Sequence, residues 1–255
     1  MPQIGLITTG HGPRDEYVQY HRHLLGSLGQ TVEIRIEHLL DGLSWPEIAP
    51  HTGGPEEVVL GAYVRAEGAV GPRMPNGTVH GYLRMDWAVT RVQAAVDRLV
   101  AGGADVIIFC AAAPLPVEGI RSPVPLLQPA DVMANIVRDM AGHASSRLRV
   151  GLLTTAGHGR KDLEHWQGLS FASRLDLDNV VFEGDPLSAV PSLRGRKDVI
   201  VVWSYGWGLI SPSPRPLSEM MEEMVGCPVL MGHRVTALMA AAILRCGFDD
   251  RRFAA

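Results

Sequence analysis

Cysteine is scarce in this chain: Cys110, Cys227 and Cys246 are the only three in 255 residues, widely spaced and without a Cys-x-x-Cys pair. An odd, scattered set builds neither a disulfide framework nor a thiolate metal site, which predicts a reducing compartment and a cytoplasmic protein. There is no basic excess either. Lysine and arginine total 23 against 27 aspartate and glutamate, a net charge of -4, so no stripe of positive charge is offered to a phosphate backbone and nucleic-acid binding is not expected. No stretch approaches the ~20 apolar residues of a membrane span, and Met1 to Ile7 lack the basic flank and long apolar run of a signal peptide. The chain has no His-Glu-x-x-His, no Gly-x-Gly-x-x-Gly and no P-loop, so neither metal, dinucleotide nor ATP is implied and no cofactor is expected.

What remains is ordinary globular composition, 46% hydrophobic and 20% charged, in a chain long enough for one large domain or two small ones. A repeat decides for two. Ile4-Gly-Leu-Ile-Thr-Thr-Gly-His-Gly-Pro-Arg-Asp15 recurs as Val150-Gly-Leu-Leu-Thr-Thr-Ala-Gly-His-Gly-Arg-Lys-Asp162, with Ala156 inserted. Ala104-Asp-Val-Ile-Ile-Phe-Cys110 likewise resembles Lys197-Asp-Val-Ile-Val-Val-Trp-Ser204, each an apolar run of the kind found in strands buried on both faces. These are two related half-chains, a first lobe over 1–127 and a second over 128–233, with residues 234–255 allowed to return to the first. The first half carries the longer span between its two marked strands, and the segment from about Leu40 to Arg84 is the insertion. Val58 to Val64 and Thr78 to Leu83 flank a Gly/Pro-rich stretch ending in Pro75-Asn76-Gly77, a hairpin signal and a possible flap.

Helical patterns alternate with the strands. Val92, Ala95, Val96 and Leu99 share one face, as do Met133, Ile136, Val137 and Met140, and Val235, Leu238, Met239, Ala242 and Ile243. Such alternation predicts an α/β fold of two pseudo-symmetric lobes, each a mainly parallel sheet with flanking helices. Ligands of such sheets collect at the carboxyl ends of strands, and a pseudo-twofold would bring Cys110 and Ser204 to opposite sides of one cleft between the lobes, the expected active site.

These residues resemble the AroM family and, more broadly, the aspartate/glutamate racemase superfamily. His38-Leu-Leu-Asp-Gly-Leu-Ser-Trp-Pro-Glu47, Arg149 to Thr155, Asp198 to Val202 and Cys227-Pro-Val-Leu-Met231 followed by an Ala-rich helix are similar to AroM-like stretches in the same order. In two-cysteine racemases of that superfamily one thiolate removes the proton alpha to a carboxylate and the opposite thiol supplies one to the other face, with no cofactor. The resemblance puts Cys110 at the first position, within Phe-Cys-Ala-Ala instead of Cys-Asn-Thr, and Ser204 in place of the second cysteine. A hydroxyl is a far weaker acid than a thiol of pKa about 8.5, so mirror-image proton exchange is disfavoured. Single-cysteine relatives such as arylmalonate decarboxylases protonate a planar carbanion from one face, which Cys110 alone permits. The resemblance also implies a homodimer.

The expected function is therefore a cofactor-independent isomerase, racemase-like enzyme or lyase that moves a proton at carbon on a small carboxylate, with Cys110 and Ser204 as catalytic residues. Two alternatives stay open: a metabolite-binding protein that has lost catalysis, and a hydrolase using Ser204 or a histidine-bound metal. Cys110 could equally be a small buried hydrophobe, and Cys227 and Cys246 are read as structural. Ser204 could be a turn residue; Val202 stands where a hydrolase elbow needs glycine. Thr9, Thr154 and Thr155 close the repeated strands, where hydroxyls and amides bind anions or simply cap helices. His11 and His158 sit in equivalent Gly-His-Gly loops and His233 follows a third strand; they are expected to orient substrate or carry protons rather than bind metal. Ala111, Tyr205 and Gly206 complete the substrate-contacting set. Arg14 and Arg160 could pair with a carboxylate, solvation being the commoner fate of a helix-start arginine. The other histidines, His21, His23, His38, His51, His80, His143 and His165, have no positional argument, and most are expected at the surface.

Overall fold

The computed structural model describes residues 1–54, 57–71, 77–155, 159–193, 195–209 and 216–246. The chain divides into two compact units, Met1–Gln128 with Ala237–Ala255, and Pro129–Thr236. In the first unit the order is β1 (Gln3–Thr8), α1 (Asp15–Ser27), β2 (Glu33–His38), α2 (Trp45–Ile48), β3 (Val59–Val64), β4 (Val79–Arg84), α3 (Met85–Ala101), β5 (Val106–Phe109) and β6 (Leu126–Leu127). The second holds α4 (Pro129–His143), β7 (Leu148–Thr155), α5 (Gly159–Gly168), β8 (Leu175–Phe182), β9 (Val199–Trp203), α6 (Leu217–Val225) and β10 (Val229–Met231). The boundary with the first unit falls inside α7 (Gly232–Cys246).

The repeat in the sequence is a repeat of topology. One parallel sheet runs β2-β1-β5-β6 and the other β8-β7-β9-β10, so each first strand pairs on one side with the next strand in sequence and on the other with the second marked apolar run. Every residue of β1, β5 and β9 is buried, as continuous apolar runs require of central parallel strands, whereas β2, at an edge, keeps exposed charges.

The repeated aspartates explain how the central pairs stay in register. The Asp105 carboxylate accepts the Gln3 backbone N–H at 2.7 Å while the Asp105 N–H donates to Gln3 O at 2.8 Å. Asp198 does the same to Arg149, at 2.9 and 2.8 Å, and also takes the Arg149 guanidinium. Each satisfies a backbone N–H at the start of a central strand.

The segment after β2 contains the antiparallel pair β3–β4, with Val59 opposite Arg84 and Val64 opposite Val79; the signal at Pro75 and Asn76 lies outside the described residues. Leu60, Ala62, Val64 and Leu83 of the hairpin are fully or almost fully buried and share one core with Val92, Ala95, Val96 and Leu99 of α3, the face expected from spacing. On α4, Met133 and Val137 are buried, with Ile136 and Met140 at the margin.

The face expected of α7 is corrected. Its buried side is His233, Thr236, Ala237, Ala240 and Ala241, while Leu238 and Met239 are each 41% exposed and Ala242 also faces out. Two apolar stripes run along this helix, and the small one is buried because alanine lets a helix approach its neighbours closely. His21 corrects another expectation. It is 0% exposed, on the α1 face formed by Tyr17, His21 and Leu25, and its Nδ1–H donates to Tyr17 O at 2.7 Å.

Candidate functional site

The loop that leaves β1 is held in place by the inserted hairpin. His11 N–H donates to Tyr63 O at 2.9 Å, Arg65 N–H donates to His11 Nδ1 at 3.1 Å, and Arg65 Nη1 donates to Gly12 O at 2.9 Å. The second ring nitrogen of His11, Nε2, faces Leu43 O at 3.1 Å and donates to it. Both nitrogens are thus engaged by backbone, which fixes the neutral Nε2–H tautomer and makes this imidazole a clip between loop and hairpin. Gly10 is required by the same closeness: a Cβ there would stand 2.3 Å from Tyr63 O.

Arg14 follows this loop at the start of α1, and it is not solvated. Its side chain is 11% exposed, with the guanidinium carbon 4.5 Å from the Tyr17 ring centroid and 4.9 Å from that of Tyr63. Nε donates to Glu16 at 2.5 Å and Nη2 to Tyr17 Oη at 3.1 Å. The hairpin, distant in sequence, supplies the second aromatic ring and so removes Arg14 from water. Arg160, its counterpart after β7, has a side chain 74% exposed beside Glu164.

Cys110 is the first residue past β5, 4% exposed, its N–H donating to Ile7 O at 2.8 Å and its thiol lying 3.7 Å from Ile108 O. Burial drives the Tyr17 phenol well above its ordinary pKa, and Cys110 is among the groups that raise it further, while Arg14 opposes. Cys110 and Thr9 thus stand just past the carboxyl ends of the neighbouring strands β5 and β1, and Arg14 and Tyr17 follow at the start of α1. Thr8 Oγ1 is 2.6 Å from His38 Nδ1, and burial lowers the pKa of that imidazole, keeping it neutral. Thr9 is 7% exposed, and its hydroxyl has no hydrogen-bond partner among the described residues. Ala111 is half-buried next to Cys110.

In the second unit the equivalent strand ends carry different groups. Thr154 is buried, its hydroxyl donating to Asn179 Oδ1 at 3.1 Å, and Thr155 is half-buried with no hydroxyl partner among the described residues. His158 lies outside the described residues. His233, buried at the start of α7, donates from Nδ1 to Tyr205 O at 2.9 Å; Tyr205 is buried and Gly206 half-buried.

The register revises the equivalence of Cys110 and Ser204. Ile7 pairs with Phe109 and Leu153 with Val202, so the next residue is Cys110 in one unit and Trp203 in the other, opposite Thr154. Ser204 stands one residue further, past the strand end. Successive residues of a strand face opposite ways, so this single step matters. Around Trp203 lies a group that spacing did not single out. Its side chain donates a hydrogen bond to Asp162 of α5, whose carboxyl is nevertheless pushed up to about 7 by burial, and the rings of His165 and Trp166 pack 5.5 and 5.4 Å away. The repeated Asp15/Asp162 was the signal for it. Among the described residues no group of three His, Cys, Asp or Glu side chains is placed to hold a metal ion, and no helix is long and apolar enough to cross a membrane.

Two four-stranded parallel sheets of the same order, each followed by polar groups at its strand ends, define the class: an α/β protein built from a repeated unit. The chain is similar in fold to the aspartate racemase of Picrophilus torridus, at 13% identity and a TM-score of 0.52, covering 95% of each chain. It is similar to allantoin racemase from Klebsiella pneumoniae, at 10% identity and 0.53, covering 97% of this chain and 89% of that one. A third likeness is to a maleate isomerase from Pseudomonas putida, at 11% and 0.52, covering 96% and 92%. No curated protein matches the chain in sequence. The chain belongs to the AroM protein family, whose profile matches residues 4–244.

Proposed function

We propose that this protein is a cofactor-independent enzyme that moves a proton at carbon on a small carboxylate, with Cys110 as the proton-transfer group. The observation that carries the reading is the placement of a buried thiol immediately past β5, at the carboxyl end of a central parallel strand. A thiol is a competent acid and base near neutral pH, and a largely desolvated position strengthens every charge interaction made there. Trp203 at the position equivalent to Cys110 supports chemistry on one face, an isomerisation or decarboxylation, over racemisation by two matched groups. Ser204 and Thr155 are proposed as hydrogen-bond donors to an anion, without a share in proton transfer.

The test is proton exchange in D2O followed by NMR over amino acids, hydroxy acids, malonates and unsaturated diacids, comparing wild type with Cys110→Ala. Exchange, isomerisation or decarboxylation that the variant loses is the expected result. A second reading, a metabolite-binding protein of the same fold, is supported by the same Trp203. Saturable binding without any reaction, unchanged in Cys110→Ala, would establish it and overturn the first.

A further inference from the structure

We infer that Arg14 is the residue that receives the substrate's carboxylate, with the β3–β4 hairpin, through Tyr63, as the wall that holds its guanidinium in position. The inference deepens the function proposed above and rests on that reading for the identity of the ligand as a substrate, though the binding itself is tested without turnover.

The argument begins with counting donors. A guanidinium carries five N–H groups in a planar fork and has no acceptor. Two of those on Arg14 are used, one by Glu16 and one by Tyr17 Oη, and among the described residues no acceptor meets the Nη1 edge. The side chain is only 11% exposed, yet none of its nitrogens is among the buried atoms that lack a partner, so the Nη1 edge opens to solvent, where an incoming anion can reach it. Donors that only water meets can exchange that water for the acceptors of a ligand. A carboxylate fits the vacant edge, because the two parallel N–H bonds of a guanidinium match its two oxygens.

The surroundings favour a fixed anion site rather than a packing accident. Tyr17 and Tyr63 sit on the guanidinium at 4.5 and 4.9 Å and leave it little freedom, so less order is lost when the anion arrives. Tyr63 is itself tied down: its carbonyl accepts the His11 N–H, and Arg65, just past the end of β3, clamps the loop. Glu16 offsets one charge but is the more exposed partner, 23% against 11%, so solvent screens it more than it screens Arg14. The loop that carries Arg14 leaves the carboxyl end of β1, and Cys110 leaves that of the neighbouring β5 with its N–H bound to Ile7 O, so the arginine and the thiol follow adjacent strand ends.

The experiment is calorimetric titration of the full chain with malonate, succinate, maleate and aspartate, using malonamide as the uncharged control. Wild type is expected to bind at least one of the anions and not malonamide. Arg14→Gln should weaken that binding by about tenfold or more, the loss expected for a charge-assisted bidentate contact. Arg14→Lys, which keeps the cation but not the fork, should fall between the two while melting like wild type, and it is read alone if the glutamine variant does not fold. Binding within twofold of wild type in both variants, or no binding of any anion by wild type, overturns the inference. Failure of the proton-exchange test with Arg14-dependent binding intact would remove the proposed reaction and leave this site standing.

Discussion

Gly10→Ala isolates the contact between the first loop and the inserted hairpin. Gly10 has no positive φ, so alanine can adopt its backbone without conformational strain; the whole effect is steric. The new Cβ would lie 2.3 Å from Tyr63 O and 2.8 Å from Tyr63 N, about 1 Å inside ordinary contact. Backbone atoms of a strand cannot rotate away as a side-chain tip can, so loop and hairpin must separate. Separation breaks or stretches the His11 N–H bond to Tyr63 O and the Arg65 N–H bond to His11 Nδ1. Two hydrogen bonds at about 1 kcal/mol each, with overpacking of at least about 1 kcal/mol, make a loss of about 3 kcal/mol. For a chain of this size that lowers Tm by roughly 6–12 °C. Thermal melting followed by circular dichroism measures the shift, and amide hydrogen exchange reads the His11 and Arg65 N–H groups directly; both should exchange faster. A Tm within about 2 °C of wild type with both amides still protected would refute the reasoning, since the hairpin would then have room that its atoms deny.

Two further predictions concern pH. Burial lowers the His21 pKa to about 4, against about 6.5 in an unfolded chain, so the unfolded state binds the extra proton first as pH falls. Its contribution is full above about pH 6.5 and is lost as pH drops toward 4, by up to about 3 kcal/mol; urea unfolding at pH 7.5 and 5 should show this, and His21→Asn should flatten it. Asp162 works in the opposite sense over an overlapping window. Its carboxyl, held near 7 by burial, binds a proton in the folded state that the unfolded state has released, so stability declines as pH rises from about 4 to 7. Asp162→Asn should remove that decline. An Asp162→Asn slope equal to wild type would show that the carboxyl is not held in the way its surroundings require.

Much of the architecture was legible because it is written in short-range patterns. Two apolar runs preceded by aspartate, two Thr-Thr ends with Gly-His-Gly after them, and a long spacer in the first half were enough to predict two parallel sheets and an insertion. Cys110 could be placed at a strand end on the same grounds. The faces of helices were less secure: α3 has one apolar stripe and was read correctly, but α7 has two, and spacing alone cannot say which one meets a neighbour.

The sequence by itself determined the two repeated lobes of parallel strands, the matching aspartate-led apolar runs and the family, since each depends on residues close together in the chain or on identities that recur in order. Only the tertiary structure decided the state of the side chains at the strand ends. Arg14 is desolvated by Tyr63, His11 is consumed by Leu43 and Arg65, and the pKa of Asp162 is raised by burial against the opposing pull of Trp203. Trp203 rather than Ser204 takes the place of Cys110, an equivalence that strand register fixes and that the two runs matched without a gap from Asp105 and Asp198 already contain. Burial and charge depend on every atom within a few ångströms, and in a parallel α/β fold most of those atoms arrive from distant segments of the chain.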